Sequence, residues 1–63
     1  MTLIELRKEV KKIIIAQNGE IYNYNLNNLK AAYGVDVTML QNAVNYFEYS
    51  PQQAAFREKY NFH

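Results

Sequence analysis

Leu29-Lys30-Ala31-Ala32-Tyr33-Gly34-Val35-Asp36-Val37-Thr38-Met39-Leu40-Gln41-Asn42-Ala43 decides the fold. Leu29 to Ala32 are good helix formers. Gly34 suits a left-handed position just past a helix end, where any Cβ would be strained. Asp36 suits the cap of a following helix, its carboxylate facing free amides and the positive end of the dipole. The stretch therefore predicts a helix, a glycine-pinned turn and a second helix.

Working outward, Leu26, Leu29 and Tyr33 fall on one side of a helix running from Leu26 to Tyr33, with Asn25 as its cap. Val35 can tuck inward. The next helix runs from Val37 to about Tyr49, with Val37, Leu40, Ala43, Val44 and Phe47 as its buried stripe. Upstream, Thr2-Leu3-Ile4-Glu5 is a capping box that opens a first helix. Leu3, Leu6, Val10, Ile13 and Ile14 recur at helical spacing, and Asn18-Gly19 predicts its end near Gln17. Residues 20–25 alternate weakly but have no second strand to pair with, so they read as a connection whose aromatics cover the core. Downstream, Ser50 caps, Pro51 suits the first helical position and Gln53 closes a second capping box. A fourth helix is expected from about Pro51 to Tyr60, with Ala55 and the Phe56/Tyr60 pair on its apolar side. The expectation is one all-α domain over residues 1–63, a small bundle of about four short helices with a tight corner between the second and third.

A chain of 63 residues forms one domain at most. Nearly half the residues are apolar (49%), which argues against disorder. With no cysteine, neither a disulfide nor a thiolate metal site can staple the fold. The net charge of +1 favours no class of partner globally, so any preference must come from local distribution. Ile13-Ile14-Ile15-Ala16 is too short for a leader or a membrane span, and Glu5 and Glu9 interrupt the approach to it. A complete cytoplasmic domain without a membrane segment is expected.

The stretch 29–43 resembles the helix-turn-helix of small DNA-binding regulators. The positions that carry the resemblance are Leu29, Tyr33, Gly34, Val35, Leu40 and Ala43, with Asp36 at the polar cap. Lys30 stands four residues before the turn glycine, where that family prefers a small residue. The resemblance implies that Thr38, Gln41, Asn42 and Asn45 face outward from the third helix toward a major groove, with Lys30 near a phosphate. Asn and Gln can pair in bidentate fashion with adenine, and Thr can meet thymine methyls. Yet Val37 to Tyr49 contain no Lys or Arg, so this face alone has little attraction for phosphate. A plain solvated face is the simpler alternative.

Arg7, Lys8, Lys11 and Lys12 fan over the side of the first helix opposite much of its core stripe. Such a run is usually a solvated face, though it could reach phosphates. Ile4, Lys8, Lys11 and Ile15 form a second stripe, and isoleucines set among lysines suggest a contact surface for a protein, a second copy or an anionic membrane. The alternative is that residues 20–25 cover Ile15 and that Ile4 frays. Most of the six tyrosines are expected to lid the core, with Tyr24 and Tyr49 the first candidates for a partner contact.

Chemistry is not expected. His63 has no ligating neighbour at metal spacing, Glu5 and Glu9 sit among Lys and Arg with no nucleophile, and two glycines make no phosphate loop. No enzyme, cofactor or metal is anticipated. Two functional classes fit the chain. One is a regulator, dimeric if it follows the usual pattern, that binds double-stranded DNA. The other is a module that binds or inhibits a larger protein through the first helix and exposed tyrosines.

Overall fold

The computed structural model of the protein describes residues 1–60. His63, read above as a residue without ligating neighbours, lies outside them. Among the described residues there are four α-helices, one 3-10 turn and no strand: α1 Leu3–Ala16, α2 Asn23–Tyr33, α3 Val37–Tyr49, the turn Pro51–Gln53, and α4 Ala54–Tyr60. The protein is a small all-α bundle, and none of these helices is long and apolar enough to cross a membrane.

Each helix boundary has a local cause. Thr2 opens α1: its hydroxyl accepts from the Glu5 amide at 3.2 Å, and the Glu5 carboxylate accepts from the Thr2 amide at 2.7 Å. At the far end Asn18 adopts φ 56, and the Gly19 amide reaches back to the Ile14 carbonyl at 2.8 Å. These bonds form a Schellman ending with asparagine in the left-handed position. Gly34 ends α2 at φ 66; a Cβ there would meet nothing within 4 Å, so only the backbone angle calls for glycine. The Asp36 carboxylate accepts from the Met39 amide at 2.8 Å and starts α3. Ser50 accepts from the Gln52 amide at 3.3 Å.

Helix α2 begins earlier than the Leu26 expected from the pattern. Asn25 does not cap it from outside. It sits inside the first turn, and its side-chain oxygen accepts from the Tyr22 amide at 2.9 Å and from the Gln17 amide group at 3.0 Å. Buried to 8% exposure, Asn25 satisfies one free amide of α2 while joining α2 to the end of α1. The second capping box is also absent: Gln53 turns away from Ser50 and donates to the Tyr46 hydroxyl at 3.1 Å. That first turn is 3-10 rather than α, as is common at helix starts.

The largest interface between helices is α1 against α3. Leu6, Val10 and Ile14 of α1 are fully buried and meet Leu40, Ala43, Val44 and Phe47 of α3 in one cluster with Leu29 and Val35. Ala43 is also fully buried, and its short side chain lets the helices approach closely. Leu3, Ile13, Leu26 and Phe56 pack on the margin, whereas Ala55 faces solvent. Arg57 ties α4 down by donating to the carbonyls of Phe47 at 2.7 Å and Ser50 at 2.8 Å, near the end of α3.

Two expectations about the core are corrected. Val37 is 66% exposed. Its direction from the axis differs from that of Val44 by only about 20°, but it lies in the first turn of α3, in the lining of the open groove between α2 and α3. Tyr22, Tyr24, Tyr33 and Tyr49 are exposed too, so most of the rings do not lid the core. Aliphatic side chains fill that volume, and the polar ends of Tyr24 and Tyr33 bond to Gln17 and Glu9 at the surface.

Two outcomes are expected. Ile14→Ala should cost about 2–5 kcal/mol in a domain whose core supplies only about 3–5 kcal/mol. Far-UV circular dichroism should show a much lower melting midpoint or no cooperative melt; an unchanged midpoint would contradict this packing. The second concerns pH. The Thr2 amide and hydroxyl hold Glu5 below the ordinary carboxylate value of 4.5, and the Lys12 ammonium, aided by the Tyr33 hydroxyl, does the same for Glu9. Both groups stabilise the fold above the unfolded-state value, and that contribution is lost as pH falls through the lower folded one. The midpoint of thermal unfolding should fall in acid, and less so in Glu5→Gln/Glu9→Gln, in which an amide at position 5 still completes the cap.

Candidate functional site

Helix α3 presents Thr38, Gln41 and Asn42 to solvent, with Asn45 half-buried beside them. The Gln41 amide group donates to the Asn45 side-chain oxygen at 2.9 Å, so two of the four side chains are held in register. They form an uncharged amide ridge. A groove of about 400 Å³ runs along one flank, between α2 and α3, with Leu26, Val37 and Leu40 at its base. Asn23, Asn27 and Lys30 of α2 form its wall, facing Gln41.

Lys30 is thus exposed beside the ridge, not wedged into the crossing of α2 and α3. Asn23 and Asn27 are absent from the sequence reading: a helix from Leu26 leaves out Asn23, and Asn27 on that helix carries no signal of its own. Their spacing with Lys30, four and then three residues, is the signal that would have placed them on one face.

A second groove, of about 320 Å³, follows the other flank between α1 and α3. Tyr46 and Phe47 line its α3 side; Ile4, Arg7, Lys8 and Lys11 line its α1 side. Here the basic cluster of α1 proves heterogeneous. Arg7 lies at the edge of the core, not opposite it: its guanidinium stacks 4.0 Å over the Tyr46 ring. Its Nε is buried without a hydrogen-bond partner among the described residues. Lys11 lies 5.6 Å over the Phe56 ring. Lys12 points elsewhere and pairs with Glu9 at 3.0 Å. Lys8 is exposed on the rim.

Ile4 is 65% exposed in this second groove, whereas Ile15 is 42% exposed and lies outside its lining. Residues 20–25 therefore do not cover Ile15. Tyr24 stacks on Tyr22 with centroids 5.8 Å apart and donates to Gln17 at 2.8 Å. Tyr49 is 71% exposed at the end of α3, and neither it nor Tyr24 lines either groove. Among the described residues no group of His, Asp and Glu is placed to hold a metal ion.

Arg7 is the cation of the cluster packed most closely on a ring, so its substitution should report on packing. Arg7→Met keeps the stem against Tyr46 and removes the unpaired Nε, so the unfolding midpoint should hold or rise. Arg7→Ala should lose about 1 kcal/mol of contact with the ring. Equal melting curves for the two variants would show that the stem packed on Tyr46 contributes nothing.

Comparison of the chain with protein-family models, with curated proteins and with solved structures finds no match.

Proposed function

We propose that this chain is a small, non-enzymatic cytoplasmic regulator that binds double-stranded DNA by laying α3 along the major groove. One observation carries the reading: Lys30 and Gln41 line the same groove, so a phosphate-binding cation stands beside the amide ridge. Thr38, Gln41, Asn42 and Asn45 then meet base edges, where Asn and Gln suit adenine and Thr suits thymine. Asn23 and Asn27 beside Lys30 add neutral donors for phosphate oxygens. The corner of α2 and α3, closed by Gly34, Val35 and Asp36, resembles that of helix-turn-helix regulators, and this fold-level likeness is a supporting analogy.

The charge sets the expected strength. Each neutralised phosphate contributes about 0.9 to the slope of log K against log salt. With Lys30 the cation placed by α2, a single domain binds weakly, and a homodimer on two half-sites would gain what one copy lacks.

The test is an amide NMR titration with a mixed-sequence duplex at low and then higher salt. Shifts at Lys30, Thr38, Gln41 and Asn42 that fade with salt are expected. Lys30→Ala should lower the salt slope by about 1, and Gln41→Ala should relax base preference. No shift at low salt, where phosphate attraction is strongest, removes the DNA reading.

A further inference from the structure

The groove between α1 and α3 has chemistry that DNA binding by the ridge does not use. Its exposed apolar side chain is Ile4, with the half-buried Tyr46 ring behind it, and its rim carries Arg7, Lys8 and Lys11 without a carboxylate among the lining residues. In a chain of net charge +1, that is a local concentration of positive charge. We infer that this groove docks an acidic, amphipathic helical segment of a partner protein, its apolar residues on Ile4 and the Tyr46 edge and its carboxylates on the rim. The inference is independent of the DNA reading.

The observations select this occupant over others. Ile4, two-thirds exposed among cations, offers nothing to a phosphate backbone but suits an apolar anchor. The buried Nε of Arg7 lacks a partner. A small rotation about the Tyr46 ring would present the planar guanidinium to a carboxylate, a geometry that it matches in bidentate fashion. A second copy related by two-fold symmetry is disfavoured, because the same patch would face itself and set Lys8 and Lys11 against each other's counterparts. A helix supplies apolar side chains along one face and acids on its flanks, as this apolar groove with a cationic rim requires.

The probe is a synthetic helical peptide with Leu at three- and four-residue spacing and Glu and Ala elsewhere, titrated into the labelled full chain. The expected result is amide shifts at Ile4, Lys8, Lys11, Tyr46 and Phe47. Lys8→Glu/Lys11→Glu should weaken binding at least about tenfold, roughly the loss of one or two charge pairs. The same peptide with Lys in place of Glu should bind this reversed variant and not the original chain. Should the reversed variant not fold, Lys8→Gln/Lys11→Gln and Ile4→Ser, each changing an exposed site, should each weaken binding of the Glu peptide. Equal binding of the Glu and Lys peptides overturns the proposal. So do shifts elsewhere, silence up to roughly 1 mM peptide, or a duplex that shifts this groove when the peptide does not. Failure here leaves the response of Gln41 and Thr38 to DNA untouched, so the two readings are separable.

Discussion

The packing of α1 along α3 is the constraint on which the rest of the molecule depends. Leu6, Val10 and Ile14 are completely removed from solvent there, against Leu40, Ala43, Val44 and Phe47. In a chain this short no other interface is large enough to hold the fold together. The burial also fixes how α3 is rotated about its own axis. Once Leu40, Ala43 and Phe47 face inward, Thr38, Gln41 and Asn42 must face outward. The ridge is a consequence of the core.

The same packing creates the two grooves. Helix α2 reaches α3 across the corner at Gly34, puts Leu29 into the shared core, and is tied to α1 and its end by two polar bonds, Gln17 to Asn25 and Tyr33 to Glu9. Helix α1 lies on the opposite flank. Each groove therefore has α3 as one wall and a different helix as the other, and the two differ in chemistry. The α2 side sets amides and one lysine around Leu26, Val37 and Leu40; the α1 side sets Ile4 and two aromatic rings among three cations. One helix thus separates two unlike surfaces.

Much of this was legible because it is local. Thr2 with Glu5, Asn18-Gly19, Gly34 with Asp36, and Ser50-Pro51 act on backbone groups within a few residues, and each marks the boundary that the structure shows. Where the reading slipped, a distant partner had intervened. Asn25 resembles a cap, but Gln17 of another helix draws it into a buried network. Gln53 has the spacing of a capping box, but the Tyr46 hydroxyl offers it a tertiary bond. Val37 has the periodicity of a core residue, but it lies in the first turn of α3, beside an open groove, and stays exposed. Arg57 gave no sequence signal as a cap for α3, because the carbonyls it binds belong to residues seven and ten positions away.

By itself, the sequence determined that the chain would be helical, where α1 and α3 would start and where α1 and α2 would stop, and most of the buried stripes of α1 and α3. Those properties follow from hydrogen bonds and periodicities within a few turns of chain. Only the tertiary structure decided what became of the side chains between stripe and solvent. It stacked Arg7 on Tyr46, sent Lys12 to Glu9, left Lys8 on an open rim and set Lys30 beside Gln41. The fate of such a residue depends on which helix lies opposite it and at what rotation. That is set by the burial of many apolar side chains at once, and no local spacing encodes it.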